Sequence, residues 1–186
     1  MTQEFSHSLA LQQTAAGHRG CHQRASWPLL LSSPRWPLIT LFMSEPEKKS
    51  RRDRLFERIE SHGFESLTLS ERASSGLTWL YMEANNGGLH QFFFNDAGKL
   101  APDALRGLEM VGAPATASIL RRAMSVFPDS IVPPDQTQRR EFLCDSLTEK
   151  QEDLLSDLTT EFFQSSEPVA DLLTAYIEQH PQEFPT

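Results

Sequence analysis

Cysteine is scarce in this sequence, which excludes a fold built on disulfides. Cys21 and Cys144 are the two cysteines in 186 residues, and they form no CxxC pair of the kind that binds structural zinc. Reduced thiols are typical of the cytoplasm. We therefore expect a cytoplasmic protein in which Cys21 lies in a tail and Cys144 packs in a helix.

Long apolar runs are missing as well. No stretch reaches the roughly 18 apolar residues that a membrane-spanning helix needs, so we expect no membrane partner. Residues 29–31 and 38–42 are apolar, but each run is too short for the core of a signal peptide. The length of 186 residues and the apolar fraction of 39% fit one domain with one core, with or without a tail.

Acidic side chains are scarce at the N-terminal end, where residues 1–42 contain Glu4 as their one acid and no periodic apolar face. We expect residues 1–52 to form a disordered tail and residues 53–186 to form the domain. Our further hypothesis is that translation begins at Met43, because a polar stretch typical of true N-termini follows it. A genuine disordered tail is the alternative.

Negative charge is concentrated at the other end of the chain. Residues 43–140 carry 13 basic and 13 acidic side chains, whereas residues 141–186 carry 11 acidic side chains against Lys150 alone, a net charge of −10. A surface of this kind repels nucleic acid and attracts basic partners. We therefore expect a basic protein partner and no direct binding of nucleic acid.

The apolar pattern after residue 53 is helical almost throughout. Ser70 and Thr148 are predicted to cap helices, Pro102, Pro114 and Pro168 to open them, and Gly63 and Gly112 to end them. Phe64 to Leu69 is a weak strand candidate. The pattern predicts an all-α, compact single-domain bundle of about six to seven short helices. The predicted inward faces include Leu77, Leu80, Leu105, Leu108, Ile119, Leu120, Phe142, Leu143, Leu155, Leu158, Phe162, Val169, Leu172, Leu173, Tyr176 and Ile177.

The run Asn85-Asn86-Gly87-Gly88 interrupts the second helix and predicts a sharp turn with a positive φ at one glycine. The segment that begins there, residues 86–95, reads NGGLHQFFFN. Three further segments, at residues 98–105, 112–113 and 127–128, carry the same family resemblance. In this combination and order, residues 67–184 resemble the C-terminal domain of the bacterial DNA-mimic protein (DMP) family, once classed as a domain of unknown function.

The resemblance implies a compact all-α domain. It also implies a role, since the first characterised members of that family are acidic proteins that occupy the DNA-binding surface of a transcription factor. The family often has an aromatic residue where this chain has Leu89, which we interpret as a change in packing. Family membership indicates the fold more directly than the function.

We interpret the motif as structural. The glycines turn the chain, the phenylalanines fill the core, and Gln91 and Asn95 are expected to bond to exposed backbone near the turn. The predicted structural motif comprises Asn86, Gly87, Gly88, Gln91, Phe92, Phe93, Asn95 and Gly112.

Catalytic and cofactor-binding patterns are lacking. His90 with Glu83 or Asp96 is the one acid–base pair worth considering, and a hydrolase or transferase built on His90 is the second alternative. No nucleophile motif or phosphate-binding glycine loop occurs, and His18, Cys21 and His22 lack further paired ligands for a metal. We therefore expect no catalytic residue, no cofactor and no metal.

The acidic helices are the better candidate for a binding surface. Glu149, Asp153, Asp157 and Glu161 recur every four residues, although like charges at this spacing slightly destabilise a helix. We expect an acidic non-enzymatic interaction domain, a DNA mimic acting in transcription regulation. An interaction or immunity-type module with a partner that does not bind DNA is the first alternative. The predicted partner-binding residues are Glu149, Glu152, Asp153, Asp157, Glu161, Asp171 and Glu178.

Mimicry places a demand on charge density. Duplex DNA carries one charge per about 1.7 Å of axis, whereas a ladder of acids four residues apart supplies one per roughly 6 Å of helix. Even two adjacent acidic helices fall short of DNA. The hypothesis therefore requires either further acids alongside or a homodimer that places two acidic faces side by side.

Overall fold

The computed structural model describes the backbone of residues 51–184. The predicted tail, the Met43 hypothesis and the residues His18, Cys21 and His22 lie outside the described residues, except that Arg51 and Arg52 of the predicted tail belong to the first helix. The first helix therefore includes the last two residues of the predicted tail.

Within the described range the chain forms seven α-helices and no strand, which confirms the predicted all-α fold. The short elements are 3-10 helices at Phe64–Ser66, Asp96–Leu100, Pro128–Ser130 and Pro181–Glu183, and a π-helical turn at Phe142–Ser146. The α-helices are α1 (Arg51–His62), α2 (Leu69–Phe94), α3 (Ala101–Met110), α4 (Pro114–Met124), α5 (Gln136–Glu141), α6 (Glu149–Gln164) and α7 (Val169–Gln179).

The core is built around α2, which packs against α3 and α6, while α4 contacts both α3 and α6. Leu80, Phe92 and Phe93 of α2 are completely buried. Because two buried faces of α2 meet different helices, this helix is apolar around much of its circumference. The predicted core positions Leu108, Leu120 and Leu158 are completely buried around it.

Small residues let α2 and α3 approach closely. A Cβ atom on Gly76 would lie 2.6 Å from the backbone nitrogen of Ala104, and one on Gly107 would lie 2.6 Å from the backbone oxygen of Ala73. Neither position tolerates a side chain unless the two backbones separate. This crossing sets the distance between the two helices that carry the motif segments.

The start of α2 differs from the prediction. Thr68, rather than Ser70, caps the helix, since its hydroxyl accepts a hydrogen bond from the Glu71 amide at 3.2 Å and the Glu71 carboxylate accepts one from the Thr68 amide at 2.8 Å. This reciprocal capping box satisfies two free amides at once. The preceding Phe64–Ser66 segment is a 3-10 helix, so the strand candidate at Phe64 to Leu69 was wrong.

Most other helix boundaries follow the predicted signals. Gly63 and Gly112 end α1 and α3 with φ angles of 78° and 76°, in the left-handed region that glycine adopts without strain. Pro102 and Pro114 lie in the first turns of α3 and α4. Thr148 caps α6 through a capping box with Gln151.

The last helix, α7, is less buried than predicted. Val169 is 1% exposed, but Leu172, Leu173 and Tyr176 are half-buried where they pack against the core. The apolar spacing alone predicted a fully inward face here. The face is correct, but the depth of burial depends on how far the neighbouring helices extend over it.

Candidate interaction surface

The seven acidic residues predicted to bind a partner are all exposed. Five lie on α6 and two on α7. On α6 the opposite side carries Leu155, Leu158 and Phe162, which are buried. Hereafter the acidic surface denotes Glu149, Glu152, Asp153, Asp157, Glu161, Asp171 and Glu178.

Glu161 differs from the other members of the acidic surface because it is already paired. The Arg122 guanidinium of α4 donates to both Glu161 carboxylate oxygens, at 2.9 and 2.8 Å. Both side chains are about half exposed, so the pair is a surface ion pair of small energetic value. No other member forms a hydrogen bond or ion pair with any described residue. Six carboxylates of the surface are therefore free to meet a partner.

Two more exposed acids lie just before α6 in the chain. Glu141 at the end of α5 and Asp145 in the π-helical turn are exposed, and among residues 51–184 neither has an ion pair or hydrogen bond. They precede α6 directly. Both belong to the 11 acids of residues 141–186. Because they are not part of a regular helical spacing of acids, the sequence alone could not assign them to one side of a helix.

Glu167, in contrast, is a structural acid. Its carboxylate accepts hydrogen bonds from the Ala115 amide at 2.9 Å, the Thr116 amide at 2.8 Å and the Thr116 hydroxyl at 2.6 Å. Although burial by itself raises the pKa of Glu167, these hydrogen bonds outweigh it and lower the pKa below its ordinary value. Glu167 thus caps α4 from a different part of the chain.

The predicted turn at the two glycines is confirmed, and it is a break inside α2. Gly88 has a φ of 78°. The Asn95 side-chain amide donates to the Glu83 carboxylate at 2.7 Å across this break. In a straight helix these residues would lie about 18 Å apart along the axis, farther than their side chains span together. The helix axis must therefore bend sharply at the glycines.

Gln91 and Asn95 have a different role from the predicted one. Instead of exposed backbone, both bind Glu83, with the Gln91 amide 3.4 Å from its carboxylate. The backbone freed by the break is satisfied by α6, where the Thr159 hydroxyl accepts from the Leu89 amide at 3.1 Å. A Cβ atom on Gly88 would lie 2.8 Å from the Thr159 methyl carbon. The glycine therefore lets the bend dock against α6.

The end of α2 is held by a residue that sequence reasoning missed. Arg139 is completely buried, and its guanidinium donates to the carbonyl oxygens of Phe93 at 2.8 Å and Asn95 at 2.8 Å. It also donates to the Pro133 and Pro134 carbonyls of the loop that precedes α5. A guanidinium satisfies carbonyls at a helix C-terminus and complements the helix dipole. No local sequence signal marks an arginine for burial.

His90 is not assembled into an acid–base pair by this arrangement. Glu83 binds Gln91 and Asn95, Asp96 pairs with Lys99 at 2.6 Å, and neither carboxylate forms a hydrogen bond with His90. Burial lowers the pKa of His90, while the nearby Glu152 carboxylate opposes the shift. The His90 ring stacks on Phe94 with centroids 6.0 Å apart, as expected of a packing residue.

Over residues 51–184, no group of three or more His, Cys, Asp or Glu side chains is placed to hold a metal ion. In that same range, no helix combines the length and the apolar character that crossing a membrane demands.

Comparison with known proteins assigns the domain to a family. The family model described as DMP19-like protein matches residues 65–180, which is more than half of the chain. No curated protein and no solved structure matches. The matched range runs from the 3-10 helix before α2 to the end of α7, so it includes both the bend in α2 and the acidic surface.

Proposed function

The chain belongs to the DMP19-like protein family, and from this premise we propose that it is a non-enzymatic interaction domain that mimics DNA. Its acidic surface would occupy the DNA-binding surface of a basic protein, either a transcription factor or a nucleoid protein. The resemblance to the DNA-mimic proteins supplies the kind of partner. The exposure of the predicted partner-binding residues supports the proposal, because their carboxylates are open to such a partner.

The observation that carries the proposal is the set of free carboxylates. Six of the seven acids in the acidic surface are exposed without an ion pair or hydrogen bond to any residue from 51 to 184. Folding does not require such a set, because like charges four residues apart slightly destabilise a helix. A basic partner would remove this repulsion, and the same charges would speed its association.

Charge density limits how the mimicry works. Because Glu161 is already paired with Arg122, the free ladder on α6 is shorter than the sequence indicated. Glu141 and Asp145 compensate by adding two carboxylates just before α6. Together with Asp171 and Glu178 on α7, they are our candidates for the further acids that mimicry requires. A homodimer that places two such surfaces side by side is the other way to reach the charge density of DNA.

The experiment compares two double variants of equal charge. Asp153→Asn with Asp157→Asn neutralises the acidic surface, and Glu60→Gln with Asp129→Asn removes two exposed acids elsewhere. Proteins captured from the native host are identified, and their affinity for each variant is measured over a range of salt. We expect the surface variant alone to bind weakly, chiefly through slower association, and the wild-type affinity to fall as salt rises.

Duplex DNA then separates the specific role from its alternative. If the chain mimics DNA, a duplex that binds the recovered partner competes with the chain for it. A recovered partner that does not bind DNA, such as a toxin, would favour the interaction or immunity-type module instead. Equal affinities of the two double variants at low salt would mean that the acidic surface is only a solvated face.

A further inference from the structure

The loop between α4 and α5 presents an apolar side chain to solvent. Ile131 is 67% exposed, more than any other large apolar side chain that the structure describes. A single exposed isoleucine is common on protein surfaces and needs no explanation by itself. What distinguishes Ile131 is the loop that carries it, because this loop is strained at its tip and fixed on both sides.

The tip of the loop has a backbone conformation that L-amino acids rarely adopt. Asp129 and Ser130 have φ angles of 54° and 59°, and in the range 51–184 no other non-glycine residue has a positive φ. Aspartate adopts this left-handed conformation more often than most residues. Two such residues in succession nevertheless store strain, and strain of this kind clusters at functional sites.

Both ends of the loop are buried. Phe127 is 2% exposed, and its ring packs against the rings of Phe93 of α2 and Phe142, with centroids 5.2 and 5.1 Å away. Val132, on the other side of the tip, is 6% exposed. The exposed tip is therefore held between two residues that belong to the core.

Prolines and a buried arginine hold the rest of the loop. Pro128, Pro133 and Pro134 have a φ that their rings fix. The Arg139 guanidinium donates to the last two of these carbonyls, at 2.8 and 2.9 Å. At the tip, the Ile131 amide donates to the Pro128 carbonyl at 3.0 Å. The loop thus holds Ile131 in place before any partner arrives, which reduces the entropy lost on binding.

The loop starts beside the first turn of α6. The Gln151 side-chain amide donates to the Val126 carbonyl at 2.8 Å. Glu149 and Glu152 of the acidic surface flank Gln151 in the chain, and both are exposed. Ile131 is five residues from Val126, at most about 18 Å along an extended chain. Since a standard interface covers about 800 Å² per partner, roughly 30 Å across, the two features are close enough for one partner to contact both.

We propose that Ile131 inserts into an apolar pocket of the basic partner, next to the basic residues that meet Glu149 and Glu152. The loop adds an apolar contact to a charged interface, so it selects among basic partners by shape where charge alone does not. Because this contribution is apolar, Asp129→Asn keeps it, since asparagine also accepts the left-handed conformation. The class of partner rests on the proposed function.

Capture from a lysate of the native host tests the contact with four immobilised full chains. They are the wild type, Asp153→Asn with Asp157→Asn, Ile131→Ser and Leu69→Ser. Leu69 is the matched control, since it is 65% exposed but begins α2, whose far end contacts the loop through Phe93. We expect proteins lost from the acidic double variant to fall at least about fivefold with Ile131→Ser and to be kept by Leu69→Ser.

Salt separates the two contributions. Neutralising the acids should weaken capture mainly at low salt, whereas Ile131→Ser should weaken it at low and high salt alike, because salt does not screen apolar burial. Ile131→Ser should also keep the wild-type thermal midpoint, since an exposed side chain adds little to the core. Amides of Ser130 and Ile131 that exchange as fast as in an unfolded peptide would contradict the fixed loop.

The outcomes distinguish this inference from the proposed function. If Ile131→Ser keeps the acid-dependent proteins, or Leu69→Ser loses them equally, the loop contact is refuted and the proposed function stands. If no captured protein depends on Asp153 and Asp157, both ideas fail. Sedimentation of the wild type and Ile131→Ser tests a second copy as the occupant, because self-association that Ile131→Ser abolishes would overturn the proposal.

Discussion

Asp103 and Asp157 are both aspartates on amphipathic helices, yet the protein uses them in opposite ways. Asp103 on α3 is buried and accepts from Arg72 at 3.3 Å and Arg106 at 3.0 Å. Asp157 on α6 is exposed and has no ion pair or hydrogen bond among the described residues. Acids around α2 and α3 bind neighbouring arginines, whereas most acids on α6 and α7 have no ion pair or hydrogen bond with residues 51–184.

The same contrast separates the family motif from the acidic surface. The motif around Gly88 is engaged with α6 through Thr159 and with Arg139 at its end. We therefore expect changes in this structural region to alter the free energy of unfolding. Changes in the acidic surface should alter partner binding instead. Four predictions, from the largest expected effect to the smallest, test this division.

The largest effect should come from Arg139. Arg139→Met leaves the buried carbonyls of Phe93, Asn95 and the proline loop without a donor, and we expect it to lower the free energy of unfolding by at least about 3 kcal/mol in urea denaturation. Arg140→Met is the control. Arg140 is exposed, bonds to the Phe94 carbonyl and lies over the Phe94 ring, so its loss should cost under about 1 kcal/mol. If the two variants lose the same free energy of unfolding, the proposed role of Arg139 in holding the end of α2 is contradicted.

Gly88 should come next. Gly88→Val forces a β-branched residue to a φ of 78° and against Thr159, so we expect a loss of roughly 2 kcal/mol or more in the free energy of unfolding. Gly87 has an extended φ of −173°, which any residue adopts. Gly87→Ala should therefore cost less, because only the flexible Gln91 side chain must move. If Gly88→Val leaves the free energy of unfolding unchanged, the turn interpretation is wrong and a functional role for the motif gains support.

Glu167 tests an acid that belongs to the fold although it lies in the acidic last quarter of the chain. Its pKa is lowered from 4.5 in the folded state. Its stabilising effect is therefore complete above the unfolded pKa and is lost as the pH falls through the folded value. Glu167→Gln should lower the free energy of unfolding by about 1 kcal/mol at pH 7. The variant and wild type should converge as the pH falls through the lowered folded-state pKa of Glu167, and a constant difference across pH would contradict the capping role.

The smallest effect on stability should come from the acidic surface itself. Asp153→Asn with Asp157→Asn relieves like-charge repulsion, so we expect the thermal midpoint to stay the same or rise slightly, corresponding to a few tenths of a kcal/mol. Glu161→Gln should instead cost up to about 1 kcal/mol, because it breaks the ion pair with Arg122. If the double variant unfolds more easily, the acids of α6 have a structural role and the contrast fails.

Local signals predicted most of the fold. The spacing of Leu155, Leu158 and Phe162 identified the buried side of α6, and Thr148, Pro114 and Gly112 marked helix boundaries that the structure confirms. The errors were local as well. Ser70 lies two residues beyond the actual cap, since several hydroxyl residues near a helix start compete and only the backbone geometry selects one.

The roles of individual polar residues could not be predicted in the same way. Arg139 bonds to a carbonyl 46 positions earlier, Glu167 caps a helix 51 positions earlier, and Glu183 fastens to a hydroxyl 113 positions earlier. No periodicity reports such separations. Glu161 and Asp157 are four residues apart and equivalent by pattern, yet only Glu161 meets an arginine.

The sequence by itself determined the helices, the sides they bury, the left-handed glycine in the motif and the charge of the last quarter of the chain. Those properties depend on neighbours within a few turns of helix. Only the tertiary structure decided which carboxylates are structural and which are free, because an ion pair or a cap forms where distant helices meet. The tertiary structure also places the bend of α2 at Gly88 against α6, where the Thr159 hydroxyl accepts a hydrogen bond from the Leu89 amide just after the break.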